Sequence, residues 1–326
     1  MSSEWTTVGQ PTRRRRPQRA RDRKRNHVHN VSANQNSKDT SRFFEKAVAA
    51  QLQATVNLSD SVTQDEIEIV LKSCLRELET SKYWENIRSG LTSRVESLEH
   101  QLRSIVCYGI GNFGTKRPSG PMWQLALALL IHDYVRTETF TKTSDSEDDA
   151  IAQQSKSVEI YYFEPLMTAE ESKVLERRGV HVIDENERGR RTVDTHCSTL
   201  FFMPHCPMTL YSNLFHTNWD SLQQVIIFGN SLNNYVDGKN VRIANNPATQ
   251  QALTILEVLK PFWVTQSVAI PKTDILDMSA NFEKAFNDSS FTSFPRTRSS
   301  SSETEEWPEQ PKLDFPTEYD GEGEVL

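Results

Sequence analysis

Little in this sequence could staple, anchor or export it. Four cysteines, Cys74, Cys107, Cys197 and Cys206, are scattered along 326 residues, and no two have CxxC spacing. That excludes a disulfide framework and a zinc ribbon and points to a reducing compartment. The most apolar run, Met122–Tyr134, is roughly 13 residues long where a membrane-spanning helix needs about 20, so it is predicted to be a buried core helix. No apolar signal-peptide core follows the initial Met; the first long segment is basic instead. The expectation is a cytoplasmic protein with nuclear access and no membrane contact. GxSxG, HExxH and P-loop motifs are also missing, so standard hydrolase, zinc-protease and kinase chemistry has no support.

Charge is present but segregated. Arg13–Arg25 holds nine Arg or Lys residues against the single acid Asp22, while the whole chain stands at -7. The remainder is therefore acidic, which argues against a globular domain that binds nucleic acid generally. Residues 1–40 add Pro11, Pro17 and the polar stretch Asn30–Ser37 to this arginine run. Without apolar periodicity they cannot offset ordering entropy by burial and are expected to be disordered. Arg13, Arg14, Arg15, Arg16, Arg23, Lys24 and Arg25 read as a nuclear-import signal. An RNA-contacting arm and a nonspecific solvated tail are the alternatives, though no aromatics are interleaved for base stacking.

Residues 41–103 read as a helical lead-in. Ile67, Val70, Leu71, Cys74, Leu75 and Leu78 fall on one face of an amphipathic helix, and Thr63 with Glu66 forms a capping box at its start. A second helical stretch, Trp84–Leu102, carries Gly90 as a predicted break. Over 104–270 the pattern alternates. Apolar runs at Ser104–Tyr108, Val158–Phe163, Val180–Ile183, Thr199–Met203 and Gln224–Phe228 are separated by helical stretches at Met122–Tyr134, Ala169–Arg178, Met208–His216 and Pro247–Leu259. A sixth strand is placed near Phe262–Ala269. This pattern predicts an α/β, Rossmann-like, doubly wound and mostly parallel sheet of five or six strands. Thr141–Ser157 is read as a disordered insertion, and 271–326 as a C-terminal extension ending in an acidic disordered tail, Ser299 to Glu324.

Such sheets bind ligands beyond the carboxyl ends of their strands, where strand order reverses. The residues that follow the predicted strands there, Gly109, Gly111, Asn112, Glu164, His205, Asn230 and Ser231, form the candidate ligand cleft. Gly109–Gly114 matches GxGxxG, the dinucleotide fingerprint. Pro118 would fall inside the helix that should receive a pyrophosphate, so the helix is expected to begin near Pro121 instead. The acid expected about 20 residues beyond the glycines is missing as well. A nicotinamide cofactor is disfavoured, and a more general nucleotide or S-adenosylmethionine site remains as an alternative to a simple tight turn. His196-Cys197 and His205-Cys206 flank the fourth strand and lie roughly 30 Å apart, too far to share a metal. No metal ligand, cofactor or catalytic residue is assigned.

The same strand ends carry a pattern: Cys107–Phe113, Gln124-Leu125-Ala126, Met203-Pro204-His205-Cys206, Leu210–Leu214, Asn218-Trp219 and Gly229-Asn230-Ser231. In order and spacing it resembles the SRR-like family (sensitivity to red light reduced) over roughly Ser104–Ile270. Glu164-Pro165 stands where the family often has Asp-Pro. The resemblance implies a regulator in a circadian clock input pathway, acting through partner proteins or a bound small ligand, with links to haem biosynthesis in animals and microtubules in yeast. It transfers no catalytic residue, and regulation is favoured over catalysis. The alternatives are a Rossmann-type enzyme using a nucleotide or S-adenosylmethionine and an RNA-associated protein acting through its basic arm.

Overall fold

A computed structural model describes residues 62–141, 157–238, 247–278, 280–295 and 307–312. The basic arm, residues 41–61 of the lead-in, insertion residues 142–156 and the tail apart from 307–312 lie outside the described residues.

The chain enters through α1 (Gln64–Glu79), whose capping box is the one predicted. The Glu66 N–H donates to Thr63 Oγ1, and the Thr63 N–H donates to the Glu66 carboxylate at 2.9 Å. Its apolar stripe buries Ile67, Val70, Leu71, Cys74 and Leu78. In α2 (Lys82–Ser97) the Ser81 hydroxyl accepts the Trp84 N–H at 3.0 Å. The helix runs through Gly90 unbroken. A β-carbon there would stand 3.4 Å from the Phe291 ring, so this glycine admits a neighbour rather than ending the helix.

The strands are β1 (Leu102–Tyr108), β2 (Glu159–Phe163), β3 (His181–Val182), β4 (Ser198–Met203), β5 (Val225–Asn230), β6 (Val264–Ser267) and β7 (Ser289–Ser293). Their order is β3-β2-β1-β4-β5-β7-β6. The pairs β1/β2, β1/β4, β2/β3 and β4/β5 are parallel, while β7 runs antiparallel between β5 and β6. The Rossmann-like expectation holds, but the sheet has seven strands rather than five or six. The strand missed is β7, which falls in the stretch read as a C-terminal extension. Its sequence, Ser-Ser-Phe-Thr-Ser, carries one apolar side chain, yet Ser289, Ser290 and Thr292 are buried. Pairing on both edges holds it, a signal that hydropathy does not show.

Between the strands run α3 (Gly120–Thr141), α4 (Ala169–Arg177), α5 (Met208–Thr217), α6 (Leu232–Val236), α7 (Pro247–Leu259), α8 (Lys272–Asp277) and α9 (Ala280–Phe286). Alternation along the strands divides the interior in two. Ile105, Cys107, Leu200, Phe202, Ile226 and Phe228 face one layer with α1, α2, α3, α4 and α9. Val106, Tyr108, Phe201, Met203, Val225 and Ile227 face the other, with α5 and α7. The two lead-in helices thus share a core with the sheet. Among the described residues no helix is long and apolar enough to cross a membrane.

That shared core sets an expectation. Leu71→Ala should lower stability by about 2–5 kcal/mol, the usual range for truncating a fully buried leucine, and urea unfolding should stay a single transition. A separate early transition would show that α1 and α2 unfold apart from the sheet.

Candidate functional site

Strand order reverses between β1 and β4, so the crevice of this fold opens beyond Tyr108 and Met203. Two hydrogen-bonded knots occupy that edge, and together they account for most of the seven candidate positions.

The first knot is built on the glycine loop after β1. Gly109 and Gly111 have φ of +64° and +90°. At Gly111 a β-carbon would also meet the Pro121 ring at 3.3 Å, so both backbone and space require glycine. These turns aim the loop's N–H groups inward, and carboxylates of the same chain receive them. Glu164, at the end of β2, accepts the Gly111 N–H at 2.8 Å and the Leu166 N–H at 3.1 Å. Glu171, in the first turn of α4, accepts the N–H groups of Phe113 and Gly114 and the Asn112 side-chain amide at 3.0 Å. The same carboxylate closes a capping box with Thr168. Glu171 is 0% exposed. The loop therefore forms an anion site, and protein carboxylates fill it.

The second knot surrounds the turn after β4. His205 sits at φ +58°, and its N–H donates to Asn230 Oδ1 at 2.8 Å. Asn230 donates its amide to the Tyr235 hydroxyl at 2.6 Å, and that hydroxyl donates to the Cys206 carbonyl at 2.8 Å. Burial pushes the Tyr235 hydroxyl up to about 12. The Tyr211 hydroxyl accepts the Asn230 N–H at 3.0 Å and donates to the Met203 carbonyl, bridging β4 and β5 as they separate. It lies so close to Gly229 that a β-carbon there would overlap its oxygen. The His205 ring is engaged with α9, its Nε2 at 3.0 Å from the Lys284 carbonyl and 3.1 Å from that of Ala285. It thereby caps the last turn of α9, where carbonyls lack helical partners.

Cys206 joins the knots. Its thiol, pushed up by burial, points to the Tyr108 carbonyl at 3.4 Å and would lie 3.0 Å from a β-carbon on Gly109. Ser231 stands at the margin as the residue before α6, its N–H given to the Asp288 carbonyl at 3.1 Å. Glu171, Tyr211 and Tyr235 were not among the sequence candidates. The Thr168–Glu171 box preceding an amphipathic stretch was the readable signal for Glu171. Elsewhere, a cavity of about 180 Å³ lies near the opposite edge, lined by Val95, Leu98, His100, Leu102, Tyr134 and Val135 among others. Among the described residues no three His, Cys, Asp or Glu side chains are grouped to hold a metal.

Burial in the loop gives Glu164 a raised pKa, offset in part by its two backbone N–H donors. A carboxyl whose folded pKa exceeds its unfolded value binds its proton more tightly when folded. Wild type should therefore gain stability relative to Glu164→Gln as pH falls from 7 towards the ordinary value of 4.5. Urea midpoints at the two pH values measure this; a difference that stays constant would contradict the stated electrostatics.

The family model described as SRR1 domain matches residues 74–293. Protein SENSITIVITY TO RED LIGHT REDUCED 1 of Arabidopsis thaliana is 29% identical over 72% of this chain and 77% of its own length. An SRR1-like protein of Mus musculus is 35% identical over 39% of this chain and 43% of its own. Another, of Drosophila melanogaster, is 23% identical over 49% and 50%. A crystal structure of plantazolicin methyltransferase BpumL with a monoazolic desmethylPZN analog and SAH aligns over 71% of this chain and 99% of that one. Its identity is 9% and its TM-score 0.28, too low to carry any argument about function.

Proposed function

The chain belongs to the SRR1 domain family, and on that premise we propose that it is a non-catalytic regulator in a circadian clock input pathway, acting through partner proteins. One observation carries the non-catalytic part: the glycine loop that would hold a nucleotide's phosphates gives its amides to Glu164 and Glu171. Those amides are already occupied by side-chain carboxyl groups and are not free to receive a phosphate, and Cys206 lies across the switch point between β1 and β4. The polar groups of the seven candidate positions serve mainly to hold loops together. The clock-input part rests on the family resemblance, as does the link to haem biosynthesis.

Loss of the chain in the cells that express it should alter the period or light-pulse phase response of a clock reporter; porphyrin levels in the same cells test the haem link. An unchanged rhythm would overturn the regulatory reading. A native mass spectrum of the full-length protein showing a stoichiometric nucleotide or S-adenosylmethionine would favour an enzyme instead. Salt-sensitive RNA binding that disappears on deleting residues 1–40 would favour an RNA-associated protein.

Nuclear access through Arg13–Arg16, with Arg23, Lys24 and Arg25, belongs to the same proposal. These residues lie outside the described part of the chain, and the motivation is their charge density alone. Replacing Arg13–Arg16 with alanine should lower the nuclear fraction of a fluorescent fusion while its melting temperature stays unchanged. An unaltered distribution would remove the import reading.

A further inference from the structure

Residues 307–312, Trp-Pro-Glu-Gln-Pro-Lys, lie beyond the SRR1 match at 74–293, yet they are seated on the domain. Trp219, in the 3₁₀ turn Trp219–Gln224 ahead of β5, donates its indole N–H to the Pro308 carbonyl at 2.9 Å. Gln310 donates to the His216 carbonyl at 2.7 Å, in the last turn of α5, where carbonyls lack helical partners. The His216 ring hydrogen-bonds to the Pro311 backbone, which offers only an acceptor. The Trp307 ring packs edge-on against Phe262, with centroids 5.3 Å apart. His216, Trp219 and Phe262 all precede the starts of β5 and β6, so this surface lies at the sheet edge opposite the glycine loop.

The contacts have the character of peptide recognition. An indole donor, a helix-end carbonyl and an aromatic ring read an extended segment whose prolines preset its shape. The seating is also shallow. The segment is neither strand nor helix; Glu309, Gln310 and Lys312 are exposed, and Trp307, Pro308 and Pro311 are only half-buried. Among the described residues the buried Trp307 indole N–H has no hydrogen-bond partner, a cost that release into water would remove.

We propose that the His216–Trp219–Phe262 surface is a docking site for an extended peptide of the form Trp-Pro-x-Gln-Pro. The chain's own Trp307–Lys312 fills it in cis and yields it to a partner peptide of the same chemistry. Residues 296–306 tether the segment, so its effective concentration at the site is high and it excludes a weak competitor until it is displaced.

The test uses the full-length protein and a fluorescent peptide with the sequence of residues 305–314. Trp307→Ala weakens the tethered occupant and leaves the surface intact, so it should bind the peptide at least about tenfold more tightly than wild type by anisotropy. Adding Trp219→Phe, which deletes the indole donor, should abolish that gain. Equal binding by wild type and Trp307→Ala, or binding by neither, overturns the proposal. So does a wild-type dimer in sedimentation whose segments are exchanged between copies. Hydrogen exchange on wild type gives a readout that no variant's folding can obscure. The Trp219 indole N–H should exchange faster than the amides of β4 and β5, and exchange only at the strand rate would mark 307–312 as a fixed part of the fold.

Discussion

The Glu171 carboxylate is the interaction on which the carboxyl edge of this sheet depends. A carboxylate with no exposed surface is costly to bury unless donors surround it. Here the amides of Phe113 and Gly114, the side chain of Asn112, and the N–H and hydroxyl of Thr168 converge on it. The dependence is mutual: without the carboxylate those loop amides would be left unpaired, at about 1–3 kcal/mol each. One side chain in the first turn of α4 thus fixes the path from β1 to α3. Its place at that helix N-terminus also sets its charge against the positive end of the helix dipole.

This arrangement turns a familiar anion-binding device inward. In a nucleotide-binding loop the helix begins within the glycines, so loop amides and dipole meet the phosphate together. Here α3 begins only at Gly120, after Pro118, which separates the loop amides from that helix. The amides still seek an anion, and the nearest are Glu164 and Glu171. At the other knot, Asn230 and Tyr235 hold the turn that carries His205, and His205 in turn holds the end of α9. Because α9 packs Phe282 against Trp123 and Tyr83, the crevice turn and the far helical layer are mechanically linked.

Much of this was legible in the sequence. Continuous apolar runs announced parallel strands buried on both faces, and the capping box at Thr63 marked the start of α1. Pro118 and Pro121 correctly delayed α3. What escaped was held by pairing and polarity rather than hydropathy. β7 is polar and buried, and it enters between β5 and β6 only through hydrogen bonds contributed from distant parts of the chain. Gly90 resembled a helix break because sequence does not show the Phe291 ring that packs on it. The candidate positions at the strand ends were named from topology alone. The Thr168 box marked Glu171 as a helix-start residue, but that it also holds the distant loop amides, and that Tyr211 bridges β4 and β5, follows only from folded geometry.

The two edges of the sheet differ in how their polar groups are satisfied. At the carboxyl edge most of the partners are side chains rooted in α4, α5 and β5, elements that contribute to the core, so opening it would disturb the domain itself. At the amino edge the Trp219 indole and the His216 carbonyl are matched by residues of a short extended segment with no regular secondary structure of its own. Contacts of that kind open at low free energy relative to core strands. On the proposed reading, in which the chain acts through partners, a surface that can change occupant without unfolding is required. By this criterion the amino edge, not the glycine loop, has the physical properties of a switchable site.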